Sequence, residues 1–374
     1  MDHLGCLHYT ILVGVEIVLA YAFSAFSNME NTKRNKKMYL FLALGILATM
    51  TMFRDSSVGN DTLNYMRLFR DVSNADLFVY IRNSINEPGF LGYIWLLSRI
   101  SKNPYILFAV SGAIVYISIG HFIYKHVASP GIVCISLVTL MRFDFLLSAQ
   151  RQALAISILL WAYDYLVEKK TIKFLLLAFI AATFHYSSLV FIVTYFLAHS
   201  KLVNITEINA RFFLKWAVSV GALMILFPSL LNMALRLFPK YQYYLGSAVF
   251  DGEPRLSIFL QILVAIIMFG TSMLFTDYDS KLKFENQLFS FFSIINISLL
   301  LIASNATVLT RLCSIYTFFP VAQYSVALNS ERAHYKHNQI ILRLLTLALF
   351  FLYGLVIVAY RTPEWYTTYP FKFR

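Results

Sequence analysis

Thirteen apolar runs, at about 10–27, 38–53, 88–101, 104–123, 131–149, 152–167, 172–185, 187–200, 211–235, 257–276, 286–304, 311–329 and 342–360, leave no stretch of this chain that reads as a water-soluble domain. Several of them reach the roughly 20 residues that a helix needs to cross a bilayer, while 88–101 and the two runs flanking His185 fall short of it. Only 13% of the 374 residues are charged and 59% are hydrophobic, against roughly 25% charged in an ordinary soluble domain. The fold class that follows is an all-α polytopic membrane protein, with no repeat or low-complexity tract to divide residues 1–374 into more than one integral membrane domain. The 34 Phe and 24 Tyr suit helix packing and interfacial belts. Three scattered cysteines, Cys6, Cys134 and Cys313, indicate neither a disulfide framework nor a metal site. The first apolar segment lacks a small-residue cleavage site and is read as retained.

Two short lysine-dense loops orient the chain. Residues 31–37 and 168–173 belong in the cytoplasm by the positive-inside rule. Residues 54–87 then form a polar loop on the outer face, a second outer loop runs over 236–256, and both lysine loops stay inside if 88–101 is re-entrant or interfacial. About twelve crossings with both termini outside result. On this topology the inner face carries twelve lysines to four arginines, and the outer face twelve arginines to three lysines. Insertion treats the two residues alike, so the sorting points to a ligand that prefers the guanidinium fork, such as a phosphate. The net charge of +12 reports topology and lipid contact here rather than nucleic acid.

The outer loop opens with Arg54, Asp61 and Tyr65 within twelve residues, close enough to offer cation, carboxylate and ring to one ligand. Arg142, Arg151 and Arg311 lie at or inside apolar runs, where a charge costs at least ~2.5 kcal/mol and usually faces a cavity or a partner. Arg142 has a local partner available in Asp144, whereas Arg151 and Arg311 have no acid within one turn, which favours a ligand phosphate. Asp61 adjoins Gly59 and Glu87 adjoins Pro88-Gly89, so either carboxylate sits where the backbone is shaped. Each is a candidate general base, although Asn60-Asp61-Thr62 before an apolar-periodic stretch equally suits a helix N-cap. His185 separates two short apolar runs, as an interhelical hydrogen-bonding residue or as a base at a helix break. No HxxxH or HxxE spacing and no P-loop occurs, so neither metal nor nucleotide is expected.

Arg54 with Val58-Gly59-Asn60-Asp61-Thr62 and Tyr65, then Glu87-Pro88-Gly89, Arg151-Gln152-Ala153-Leu154-Ala155, His185-Tyr186-Ser187, Arg311 with Tyr316, and the tail Tyr369-Pro370-Phe371-Lys372-Phe373 resemble the EpsG family of exopolysaccharide proteins. That family is grouped with the Wzy-type O-antigen and capsule polymerases. Two positions depart from its pattern, Asn60 where threonine is common and Phe371 where a tyrosine is expected. The resemblance implies a metal- and nucleotide-independent glycosyltransferase of the bacterial inner membrane, without cofactors. It would move a growing glycan from undecaprenyl diphosphate to the non-reducing end of a lipid-linked repeat unit on the periplasmic face, in contact with membrane lipids and a chain-length regulator protein. On this reading Arg54, Arg142, Arg151 and Arg311 bind the diphosphate, Asp61, Glu87 or His185 activates the acceptor, and Tyr65 and Tyr316 contact sugar. An O-antigen ligase using the same donor, and a flippase for lipid-linked sugars, are the rival readings. The short 236–256 loop speaks against the ligase, and the one-sided arginines speak against the flippase.

Overall fold

The structure is a computed structural model that describes residues 3–200, 203, 210–237, 256–275, 283–304, 309–329, 336–361 and 367–374. Among the described residues every regular element is a helix, and the only extended pairing is an isolated antiparallel bridge between Arg54 and Phe373. The chain divides into two compact units, one of residues 1–195 and 333–374 and one of residues 196–332.

The first unit holds α1 (His3–Ala22), α2 (Lys33–Phe53), α3 (Thr62–Asn74), α4 (Leu77–Asn83), α5 (Pro88–Ile100), α6 (Tyr105–His126), α7 (Pro130–Thr139), α8 (Arg142–Ser148), α9 (Gln150–Val167) and α10 (Thr171–Phe184). A 3-10 turn at Tyr186–Leu189 leads into α11 (Val190–Ala198), which meets the boundary between the units. The second unit contains α12 (Ala210–Leu237), α13 (Leu256–Phe275), α14 (Lys283–Ala303), α15 (Thr310–Tyr316) and α16 (Phe318–Ala327), and the chain returns to the first with α17 (Lys336–Arg361).

Outward-facing side chains on these helices are large and apolar, as at Phe41, Ile172 and Ile225, all more than three-quarters exposed. Such faces need lipid, so the protein is membrane-embedded. Among the described residues six helices are long and apolar enough to cross, and α7 with α8 makes a seventh if that pair, bent by 60°, is one broken span. The twelve crossings expected from the sequence, which already leave out 88–101, exceed that number because several of the helices concerned are short, broken or diluted by polar residues. α10 and α11 are short apolar helices broken at the His185 turn. α9 has 18 residues, about 27 Å of helix, but Gln150, Arg151, Gln152 and Asp164 near its ends dilute its apolar character. α5 has 13 residues, about 20 Å, too short for the roughly 30 Å hydrocarbon core. It starts with Pro88 in the first turn and packs against α3 and α10 instead of crossing alone.

The second unit buries Ile258, Ile262, Ala265 and Phe269 of α13 against Ile297 and Leu300 of α14. Polar ties join its helices where apolar contact alone gives little preference over lipid. Gln323 donates to Ser290 at 2.7 Å and accepts from Ser293 at 2.6 Å, and Asn296 donates to the Cys313 carbonyl at 3.1 Å. Residues 238–255 of the expected second outer loop lie outside the described residues.

Candidate functional site

The loop after α2 is folded by its own side chains and by the C-terminal tail. Asp55 accepts from the Ser57 amide at 2.9 Å and hydroxyl at 2.7 Å, and these bonds hold its carboxyl below the usual carboxylate range. Gly59 takes φ +86°, a left-handed conformation, and a Cβ there would sit 3.3 Å from the Leu147 carbonyl oxygen of α8. The Asn60 backbone amide donates to the Ser148 hydroxyl at 3.2 Å, and the Asn60 side-chain oxygen Oδ1 accepts from the Thr367 amide at 2.9 Å. The departure at Asn60 therefore has a role, since an amide side chain reaches the tail's backbone.

The tail runs antiparallel to residues 53–55. Asp55 N donates to Lys372 O at 2.9 Å and Arg374 N to Phe53 O at 3.0 Å. Phe371, the other departure, stacks on Phe143 and donates its amide to His8 Nδ1 at 3.1 Å. Two motifs more than 300 residues apart in sequence thus form one wall. Arg54 stands in this wall fully buried, its guanidinium carbon 4.3 Å from the centre of the Phe108 ring. Burial pushes its pKa down to about 10, which leaves it charged at neutral pH.

Asp61 precedes α3 at the N-cap position but stays exposed, its carboxylate accepting only from the Asn64 side chain at 3.3 Å. Tyr65, one turn further, is buried with its ring edge on Phe90 at 5.7 Å, and its hydroxyl interacts with Arg151.

Around Arg151 three distant sequence elements converge. Its Nη1 donates to Glu87 Oε2 at 2.7 Å and to Asn86 Oδ1 at 2.9 Å. The other oxygen of Glu87 is 2.9 Å from His185 Nδ1, and the Tyr186 amide lies 3.5 Å away. The absence of an acid near Arg151 in sequence is therefore made good by one 64 residues earlier. Burial alone would raise the Glu87 carboxyl, but the hydrogen bond to His185 and the charge of Arg151 outweigh it and hold Glu87 below its ordinary value.

Local sequence explains the convergence. α10 ends at Phe184, so His185 is released in an extended conformation before the 3-10 turn. Glu87 takes the N-cap position of α5 just ahead of Pro88. Gly89 lets the start of α5 touch α10, because a Cβ there would overlap the Thr183 side chain and lie 2.9 Å from the Thr183 carbonyl oxygen. A carboxylate bonded to Nδ1 fixes the imidazole tautomer and leaves Nε2 as the nitrogen able to accept a proton.

The remaining predicted residues fall elsewhere. Arg142 begins α8 directly after Met141, whose φ of +57° forms the break from α7. The Arg142–Asp144 pair offered by the sequence does not form, because α8 turns Asp144 inward, where neither carboxylate oxygen has a well-formed hydrogen bond. Arg311 is exposed on α15 and Tyr316 is fully buried against Phe292 at 5.9 Å, both within the second unit. Sequence reasoning passed over Asn86 and the inward turn of Asp144. The first had a signal in its position beside Glu87-Pro88; the second had none. At the far end of α9, Asp164 holds His126 at 2.6 Å, His121 at 2.8 Å and Lys125 at 2.9 Å. Among the described residues no group of three or more His, Cys, Asp or Glu side chains is arranged to hold a metal.

A family model described as the EpsG family matches residues 37–373. No curated protein and no solved structure matches the chain.

Proposed function

The chain belongs to the EpsG family, which is associated with polysaccharide polymerases, and from that premise we propose that it is a membrane glycosyltransferase that lengthens a polysaccharide by joining lipid-linked repeat units. The observation that carries this reading is Glu87 held between Arg151 and His185, one carboxylate oxygen to each. The acceptor hydroxyl loses its proton to His185 Nε2 as its oxygen bonds to the anomeric carbon of the donor glycan. The bond from that carbon to the carrier diphosphate breaks, and the diphosphate leaves with the electron pair. Glu87 keeps the imidazole oriented and stabilises the imidazolium that forms, without itself taking the proton. Of the three acid–base candidates, the geometry favours His185, with Glu87 as its orienting partner and exposed Asp61 as a shaping residue of the loop.

Arginines at the outer face supply the positive charge that the departing diphosphate needs. Arg151 serves this role while 27% of its side chain remains exposed beside Glu87, with Arg54 and Arg142 of the same unit as further diphosphate contacts and Arg311 as the candidate that the second unit contributes by itself. Tyr65 and Tyr316 are the proposed sugar contacts. The substrates are undecaprenyl-diphosphate-linked oligosaccharides, the active face is periplasmic and a chain-length regulator is the proposed protein partner. In cells, His185→Gln and Glu87→Gln, at wild-type levels of inserted protein, are expected to cut long-chain polysaccharide about 100-fold or more, the lower end of general-base contributions. Unchanged chain length in both would refute the assignment. A ligase would instead leave no glycan on the outer-membrane lipid after deletion, and a flippase would leave lipid-linked repeats on the inner leaflet; a polymerase leaves single repeats.

A further inference from the structure

Among the buried polar groups of the first unit that lack a hydrogen-bond partner, one set comprises an arginine, an aspartate and two residues of the C-terminal tail. All three guanidinium nitrogens of Arg54 lack a hydrogen-bond partner, as does the hydroxyl of Tyr369, while the Asp144 carboxyl faces only the Thr368 hydroxyl of the tail, without a well-formed hydrogen bond. Arg54, Asp144 and Thr368 are fully buried and Tyr369 nearly so. The Tyr116 phenol lies within electrostatic reach of both Arg54 and Asp144, and the Tyr369 phenol within reach of Asp144 and Tyr116. Tyr116 itself accepts a hydrogen bond from Thr51 at 3.3 Å.

A buried charge without a partner costs several kcal/mol, and folded proteins keep such groups where function needs them. A guanidinium and a carboxyl group are buried here without pairing to each other, which is the arrangement of a site built around a molecule that has both an anionic and a hydroxylic part. The guanidinium fork matches a phosphate. The carboxyl group and the two hydroxyls match sugar hydroxyls.

We infer that Arg54 and Asp144 form a subsite, closed by the C-terminal residues Thr368 and Tyr369, that holds a glycosyl phosphate: the phosphate on Arg54 and the hydroxyls of the adjoining sugar on Asp144. The inference rests on the polymerase reading and adds to it the contact made by the first sugar next to the diphosphate. Asp144 is a binding residue in this account and takes no proton. The tail covers the site through the Arg54–Phe373 bridge and the Asp55–Lys372 hydrogen bond, so binding requires the tail to lift.

The test uses full-length protein in nanodiscs with two probes, undecaprenyl diphosphate and undecaprenyl diphosphate bearing one N-acetylhexosamine. Asp144→Asn should weaken the sugar-bearing lipid at least 10-fold and change the affinity for the bare diphosphate less than 2-fold. Its Tm should stay at the wild-type value, because the amide keeps the shape of the carboxyl group. Tyr369→Phe should show the same selectivity at about 3-fold, and Arg54→Lys should weaken both lipids at least 10-fold. Wild-type affinity for the sugar-bearing lipid in Asp144→Asn and Tyr369→Phe would overturn the inference, as would a lowered Tm in Asp144→Asn with both affinities falling together. His185→Gln separates the two readings: lost chain growth with both affinities intact supports the polymerase assignment whatever Asp144 does. Wild-type protein that bound neither lipid would overturn both.

Discussion

Glu87 ties the candidate site together at the scale of single residues. Its carboxylate is drawn below the ordinary value because His185 and Arg151 together outweigh the effect of burial. A depressed carboxyl contributes stability that is complete above its unfolded pKa, about 4.3, and is lost as pH falls through the lower folded value. Wild-type protein in detergent should therefore show a steeper loss of Tm below about pH 4 than Glu87→Gln, whose curve lacks this contribution; parallel curves would mean that the ion pair adds nothing. Gly89 is the residue on which the pairing of Glu87 and His185 depends mechanically. Gly89→Ala is expected to destabilise the protein by about 1–3 kcal/mol through overpacking and to reduce chain elongation, measured by thermal unfolding and by polysaccharide length. Thr183→Ala should restore only part of the loss, since the Thr183 carbonyl oxygen would remain 2.9 Å from the new methyl group. Glu87, His185 and Arg151 were each visible in the sequence as charged or polar residues beside a helix breaker or an apolar run. Their pairing was not visible, because 64 and 98 residues of chain separate the partners.

Broken helices explain why the elements gave a less regular pattern than the sequence suggested. The polar loop 54–61 was legible as a shaped segment from its glycine, and Gly59 does adopt positive φ against the α8 carbonyl. Gly59→Ala should cost about 1–2 kcal/mol from the left-handed conformation alone and lower Tm accordingly; a neutral change would show that the loop is not rigid. The short run 88–101 was legible as a helix that does not cross, and α5 has that length. What periodicity could not disclose is that α7 and α8 bend by 60° at Met141, which directs Asp144 inward. Apolar composition also hid the polar anchoring of α9, with Arg151 tied to Glu87 near one end and Asp164 to two histidines and a lysine near the other. A helix pinned at both ends in this way holds Arg151 in a fixed place.

Across the whole molecule, the two ends of the matched family region meet: the loop after α2 and the tail at 367–374 form one wall, with Arg54 inside it. Deleting residues 367–374 should expose Arg54 and abolish long-chain product, while the remaining helices still insert; retained product length would show that the tail is dispensable. The membrane class, helical content and loop 54–65 followed from composition and glycine placement, because those depend on local sequence. The meeting of tail and loop depends on the packing of α1, α8 and α17, which no local pattern encodes. The central claim is that this protein joins lipid-linked glycans with His185 as the base and without metal or nucleotide. The most direct measurement adds purified protein in detergent, with excess EDTA and no nucleotide, to a lipid-linked repeat unit and resolves the products by length. A ladder of longer lipid-linked glycans that disappears in His185→Gln is the predicted result; no ladder from the wild type, or an undiminished ladder from His185→Gln, would contradict the account.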